Sequence, residues 1–157
     1  MPDPDPLLDD ERLTAIGLFV EAKSALVRRL DEELRRDVGM SLSSYEALIR
    51  LGRSPGRRLR QVELSRQLSL TTGGMTRMID RLAADGLVRR TPCADDRRVS
   101  YAELTEEGLR ALERATEVHL VSLQKHFVEP LGEDGVAALA VAARRLRDAL
   151  VPQVDLR

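Results

Sequence analysis

Between Thr71 and Leu104 one amphipathic helical segment runs almost directly into two short strand-like segments, and few small folds accept that order. Met75, Met78, Ile79 and Leu82 fall at i, i+3, i+4 and i+7, the buried stripe of a helix. Thr71 is a good N-cap for it, and Gly86 follows its end. Residues 87–91 and 99–104 then read as strands, joined by the turn-like stretch Pro92-Cys93-Ala94-Asp95-Asp96. A helix and hairpin of this size cannot close a core alone, so the flanking segments must supply the rest of it.

Those segments read as helices. Ile16, Phe19, Val20, Leu26, Val27, Leu30 and Leu34 recur at three- and four-residue spacing, which predicts a long helix over residues 9–38 stopped by Gly39. Ser43 and Glu46 have capping-box spacing and predict a short helix from there through Leu51, ended by Gly52. A third helix is expected over residues 59–68. After the hairpin, Thr105 can cap a helix reaching about Val128, with Leu109, Leu112, Leu123 and Phe127 as its apolar positions. Pro130 and Gly132 are expected to break it before a last helix over residues 133–150.

The predicted fold class is therefore mainly α with a small β-hairpin wing, a winged helix-turn-helix with long N- and C-terminal helices. We expect a disordered lead over residues 1–8, a winged domain over 39–104, and a helical dimerisation region formed by 9–38 and 105–157. The apolar stripes at the two ends have no partner within one winged helix, which predicts a homodimer.

Net charge is −1, and that figure hides an uneven distribution. From Arg57 to Arg98 there are ten arginines against five acidic residues, a net of +5, while both flanks are net acidic. A basic centre between acidic arms fits a polyanionic partner. Lys23 and Lys125 are the only lysines, and arginine suits phosphate and guanine because its planar fork can bond twice. On the helix capped by Thr71, the face opposite the apolar stripe carries Gly73, Thr76, Arg77 and Asp80, with Thr72 and Arg81 at its margins. Short side chains near the start and arginines further along are what a helix lying deep in a major groove requires. The hairpin tip adds Asp96, Arg97 and Arg98; an arginine on a ribbon can enter a narrow minor groove, with Asp96 orienting Arg98.

The stretches Gln61-Val-Glu-Leu-Ser-Arg-Gln-Leu, Thr72-Gly-Gly-Met-Thr-Arg-Met-Ile-Asp-Arg-Leu and Gly86-Leu-Val-Arg-Arg, followed by Asp96-Arg-Arg98 and Leu104-Thr-Glu-Glu-Gly108, resemble the multiple-antibiotic-resistance regulator (MarR) family. The resemblance covers about residues 59–108, in order and at family-like spacing. It implies a transcription regulator, commonly a repressor relieved by a small molecule, that binds palindromic double-stranded DNA as an obligate dimer through its first and last two helices. It assigns Thr72, Thr76 and Arg77 to the major groove and Asp96 and Arg98 to the wing. Arg60 departs from the pattern, since a hydroxyl cap is common where it stands. The resemblance also implies an effector cleft near the first, second and fifth helices, often for aromatic carboxylates. Phe19 and Tyr45 lie on the first two, and Lys23, one turn beyond Phe19, would offer a cation to a small aromatic or phenolic ligand.

Other chemistries find little support. There is no phosphate-binding glycine loop, HExxH or triad-like pattern, so neither an enzyme nor a cofactor is expected. His119 and His126 are seven apart on one expected helix, but no carboxylate or cysteine stands beside them at ligand spacing, so no metal site is expected. Cys93, the single cysteine, excludes an intramolecular disulfide; its arginine-rich setting suits a redox-responsive thiol, although peroxide-sensing relatives carry theirs in the first helix. A winged helix serving as a protein-interaction module without DNA is a third reading. No leader or membrane span is evident, and a cytoplasmic protein is expected.

Overall fold

The computed structural model describes residues 8–93 and 99–150. The lead expected over residues 1–8 lies outside them except for Leu8, as do Asp96, Arg97 and Arg98 of the hairpin tip. The first helix, α1 (Glu11–Val38), starts at Asp10, whose carboxylate accepts the Arg12 N–H at 2.8 Å. It ends at Gly39, where a φ of 70° turns the chain and the N–H returns to the Arg35 carbonyl. Its C-terminal part buries Leu30 and Leu34 against α2 (Leu42–Arg53), while Leu13, Ile16, Leu18, Phe19 and Val20 stay exposed. Asp31 joins the two helices: one carboxylate oxygen accepts the Leu42 N–H at 2.8 Å, the other the Arg35 Nε–H at 2.7 Å.

α2 corrects two expectations. Ser41, not Ser43, is its cap, accepting the Ser44 N–H at 3.1 Å. Gly52 does not end the helix but lies within it. A Cβ at Gly52 would stand 2.9 Å from Leu112 Cδ2, so this glycine serves close approach to a neighbouring helix rather than chain reversal.

A 3₁₀ turn (Pro55–Arg57) leads into β1 (Arg58–Arg60), where a helix was expected from residue 59. The third helix, α3 (Gln61–Gln67), is shorter for that reason, and α4 (Thr72–Ala84) follows. β2 (Val88–Pro92) and β3 (Ser100–Leu104) form the antiparallel hairpin. β1 pairs with the other edge of β3, so the sheet has three strands in the order β1-β3-β2, not two. Leu59 lies opposite Ala102, and Val88 opposite Leu104; by strand alternation these residues share the inner face. Arg58, Arg60, Arg89, Tyr101 and Glu103 share the outer one.

Helix α5 (Glu106–Leu123) is anchored on the start of the hairpin. Thr105 Oγ1 accepts the Gly108 N–H at 2.9 Å and donates to the Gly86 carbonyl at 2.7 Å, while the Thr105 N–H bonds the Leu87 carbonyl at 3.1 Å. The core gathers Leu34, Leu48, Leu51, Leu64, Met75, Ile79 and Leu82, all fully buried. Each such side chain contributes about 1.5–3 kcal/mol through its removal from water.

The chain divides into two compact units, residues 1–119 and 120–157. In the second, α5 does not continue to Val128 as an α-helix; residues Gln124–Val128 form a π-helical turn in which the Glu129 N–H reaches back to the Gln124 carbonyl. α6 (Glu129–Leu150) follows at once. Pro130 sits near its start and has no N–H for the His126 carbonyl, and widening the preceding turn relieves the ring's crowding of that carbonyl. Gly132, with φ 69° and ψ 166°, makes the expected interruption. Among the described residues no helix is long and apolar enough to cross a membrane.

Candidate nucleic-acid interface

α4 presents two faces with opposite chemistry. Met75, Met78, Ile79 and Leu82 are buried, and Thr71, Thr72, Gly73, Thr76, Arg77, Asp80 and Arg81 are all exposed. Thr71 caps the helix by accepting the Gly74 N–H at 3.1 Å. Thr76 donates its hydroxyl to the Thr72 carbonyl at 3.0 Å, which leaves its oxygen lone pairs and its methyl for an external partner. A Cβ at Gly73 would meet nothing within 4 Å, so the protein's own packing does not require glycine there. The effect of Gly73 is a bare stretch of backbone at the start of the helix.

The charges on this face are sorted. Arg77 and Arg81 lie one turn apart, and among the described residues neither has an ion-pair partner. Asp80, which would repel a phosphate, is neutralised by Arg90 of β2 at 2.7 Å. The same guanidinium reaches the Thr76 carbonyl at 3.4 Å, so Arg90 ties the hairpin to α4. That tie was not foreseen from the sequence. The inward alternation of Val88 and Arg90 along β2 was the available signal.

The hairpin is in register up to the Pro92–Ser100 pair, and the Cys93 N–H donates to the Val99 carbonyl at 3.0 Å. Cys93 itself is half-exposed. On the outer face Arg89 pairs with Glu103, and this contact holds the Glu103 carboxyl below its usual range. The missed strand β1 brings a further group together: the Arg58 guanidinium lies over the Tyr101 ring at 5.0 Å from its centroid, and Arg60 Nε donates to the Tyr101 hydroxyl at 3.4 Å. Arg58, Leu59 and Arg60 alternate charged-apolar-charged as a strand does, but three residues are too few for that period to decide.

The residues suggested for an effector are placed differently from one another. Phe19 and Lys23 are exposed on the N-terminal half of α1. Tyr45 is buried beneath α5, its hydroxyl 3.4 Å from Thr116 Oγ1 and its ring 4.6 Å from that of His119. A cleft of about 360 Å³ opens between α2 and α5, lined by Ile49, Gly52, Leu109, Leu112 and Thr116 and also by Arg53, Glu113 and Glu117, and none of Phe19, Lys23 and Tyr45 lines it. Burial pushes the His119 imidazole below its usual pKa, and its Nδ1 has no hydrogen-bond partner among the described residues.

A family model described as MarR family matches residues 40–100. The multiple antibiotic resistance protein MarR of Escherichia coli strain K12 is 33% identical over 85 residues, which are 54% of this chain and 59% of that protein. The HTH-type transcriptional regulator PrsX of Escherichia coli is 30% identical over 112 residues, covering 71% of this chain and 67% of that one. Among solved structures, Sco3205 of Streptomyces coelicolor, a MarR family transcriptional regulator in complex with DNA, aligns with a TM-score of 0.85. Its sequence identity is 31%, with 91% of this chain and 89% of that chain covered.

Proposed function

The chain belongs to the MarR family, a family of transcriptional regulators and not of enzymes, and from that premise we propose that it is a sequence-specific regulator that binds duplex DNA as a homodimer. The observation that carries the reading is the exposed face of α4. It joins small side chains and bare backbone at its start to two arginines that have no ion-pair partner among the described residues, opposite a fully packed stripe. Laid in a major groove, Thr72 and Thr76 contact base edges or a thymine methyl, Arg77 forks onto guanine, and Arg81 meets the backbone. Thr71 and Gly73 let the helix start approach closely. Asp96, Arg97 and Arg98 act at the adjacent minor groove.

In this reading the exposed apolar residues of α1 and, on the other unit, Val141, Leu146 and Leu150 of α6 are each buried by a second copy of the chain. Two-fold symmetry then calls for a palindromic operator with half-sites about 10 base pairs, or a multiple, apart. The protein acts in the cytoplasm as a repressor, and a small aromatic or phenolic ligand that prefers the non-binding head separation relieves it.

Binding to DNA upstream of the protein's own gene, with footprinting, tests the reading. Arg77→Ala should cost about 1–3 kcal/mol per half-site and relax preference at particular base pairs. A sequence-independent loss would remove α4 from the reading role, and no binding by the wild type would overturn the function. Release by phenolic acids, compared between wild type and Lys23→Ala, tests the effector. Peroxide challenge of Cys93→Ser tests redox control, the second reading, which the half-exposed thiol at the end of β2 favours.

A further inference from the structure

We propose that Arg58 and Arg60 of the edge strand β1 form a phosphate-contact ledge, held in place by Tyr101, that grips the DNA backbone beside the groove entered by α4. The proposal rests on the DNA-binding reading and adds a surface that neither the recognition helix nor the wing provides.

Placement comes first. In a helix-turn-helix the helix before the recognition helix crosses the DNA backbone. Here that helix is α3, and Arg60 occupies its N-cap position. A capping side chain must accept hydrogen bonds, and a guanidinium has no acceptor. Glu63 instead takes the Arg60 backbone N–H at 3.3 Å, and the guanidinium turns to the Tyr101 hydroxyl. Arg58, two residues earlier on the same face of the strand and so about 7 Å away along it, lies over the Tyr101 ring.

The second argument is electrostatic. The acids around this group are engaged elsewhere: Glu103 pairs with Arg89, Glu106 with Arg57 at 3.0 Å, and Glu63 with the backbone of Arg60. Among the described residues no carboxylate stands within ion-pair distance of Arg58 or Arg60; Glu103, opposite Arg58 on β3, and Glu63 attract them only at longer range. A neutral aromatic fixes both guanidinium groups without a contact ion pair and leaves their outer N–H donors available. A carboxylate partner would fix them as well but would cancel the charge. Two exposed, pre-positioned forks with free donors match the geometry of phosphate oxygens. Both stand on the sheet that carries the hairpin, and the Arg60–Tyr101–Thr91 row is the one next to the Pro92–Ser100 pair that leads to the tip.

The test is the salt dependence of binding to a random-sequence duplex of about 30 base pairs, where phosphate contacts dominate. The slope of log K against log salt should be shallower in Arg58→Gln/Arg60→Gln by about 0.9 for each phosphate that a bound head no longer neutralises. With two phosphates lost per head, the wild type should then lose roughly tenfold more affinity than the variant between about 50 and 200 mM salt for each head that is bound. Base preference at an operator should not change. Arg58→Lys/Arg60→Lys keeps both charges and should restore the slope. Tyr101→Leu also keeps both charges but frees the arms, so the slope should hold while affinity falls several-fold. Equal thermal unfolding midpoints for the two arginine variants and the wild type would show that folding is not the cause. A Gln variant with the wild-type slope overturns the ledge and leaves the DNA-binding reading standing; it would point to an acidic protein segment as the partner of these arginines. Failure of the wild type to bind any duplex overturns the reading itself.

Discussion

Gly108→Ala adds one methyl group where the protein has no room for it. The new Cβ would stand 2.0 Å from the Leu87 carbonyl oxygen and 2.8 Å from Leu104 Cδ1. A leucine methyl can rotate away, but a backbone oxygen cannot move without the chain that carries it. That oxygen also accepts the Thr105 N–H at 3.1 Å, the bond that fixes the start of α5 to the start of β2. Overpacking of this kind costs about 1–3 kcal/mol, and losing the hydrogen bond about 0.5–1.5 kcal/mol more. Alanine's better helix propensity returns about 1 kcal/mol. The expected net loss is about 2 kcal/mol, with the clash the larger part. For a chain of this length that lowers the unfolding midpoint by about 4–8 °C. Far-UV circular dichroism melts and urea titrations at matched protein concentration would measure it. A variant as stable as the wild type, or more so, would refute the close approach of α5 to the hairpin.

Gly73→Ala should do the reverse to stability, raising it by about 1 kcal/mol because nothing stands within 4 Å of the new methyl, yet it should weaken DNA binding; unchanged affinity would remove Gly73 from the interface. Asp31→Ala should cost on the order of 1–3 kcal/mol near neutral pH through the lost bonds to Arg35 and Leu42. Because Arg35, and then the Leu42 N–H, lower the Asp31 pKa from 3.8, that contribution is complete above this value and fades as pH falls through the folded one. Urea titrations of both proteins from neutral to acid pH should therefore converge, and a constant gap would show that the charge is not responsible. Burial lowers the His119 pKa from 6.5, so the unfolded chain binds the proton first and stability falls as pH drops below about that value. His119→Phe keeps a ring against Tyr45 and should remove that part of the pH dependence; an identical pH profile in the variant would refute it.

What the sequence revealed and what it concealed differ in the range of the interactions involved. α4 was legible because its stripe, its cap at Thr71 and its exposed face all lie within a few turns of one helix. β1 was not, because Arg-Leu-Arg is too short to prefer a strand; its pairing with β3, more than forty residues away, makes it one. Gly39 and Gly52 show the same division. At Gly39 the left-handed φ satisfies a local need, and the sequence rule holds. At Gly52 the need is room for Leu112 on another helix, so a rule about helix ends misreads it. Phe19 and Tyr45 could each be read from the sequence as core or as ligand contacts; the structure separates them, with Tyr45 buried against Thr116 and His119 and Phe19 exposed.

Local charge was read correctly in sign but not in position. A net of +5 over residues 57–98 says that a polyanion is attracted, not where it is held. The folded chain resolves this by pairing. Arg57, Arg89 and Arg90 each have a carboxylate partner, so each pair presents a dipole whose field falls away faster than that of a free charge. Among the described residues Arg77 and Arg81 on α4 and Arg58 and Arg60 on β1 have no ion-pair partner. Among the described residues internal pairing thus takes the cations that hold the hairpin to its neighbours out of the outward field and leaves those on α4, those at the start of α3, and Arg66 near its end. Potential at a binding surface depends on such unpaired groups, which is why an ordered ion-pair network can sharpen recognition without contributing much to stability.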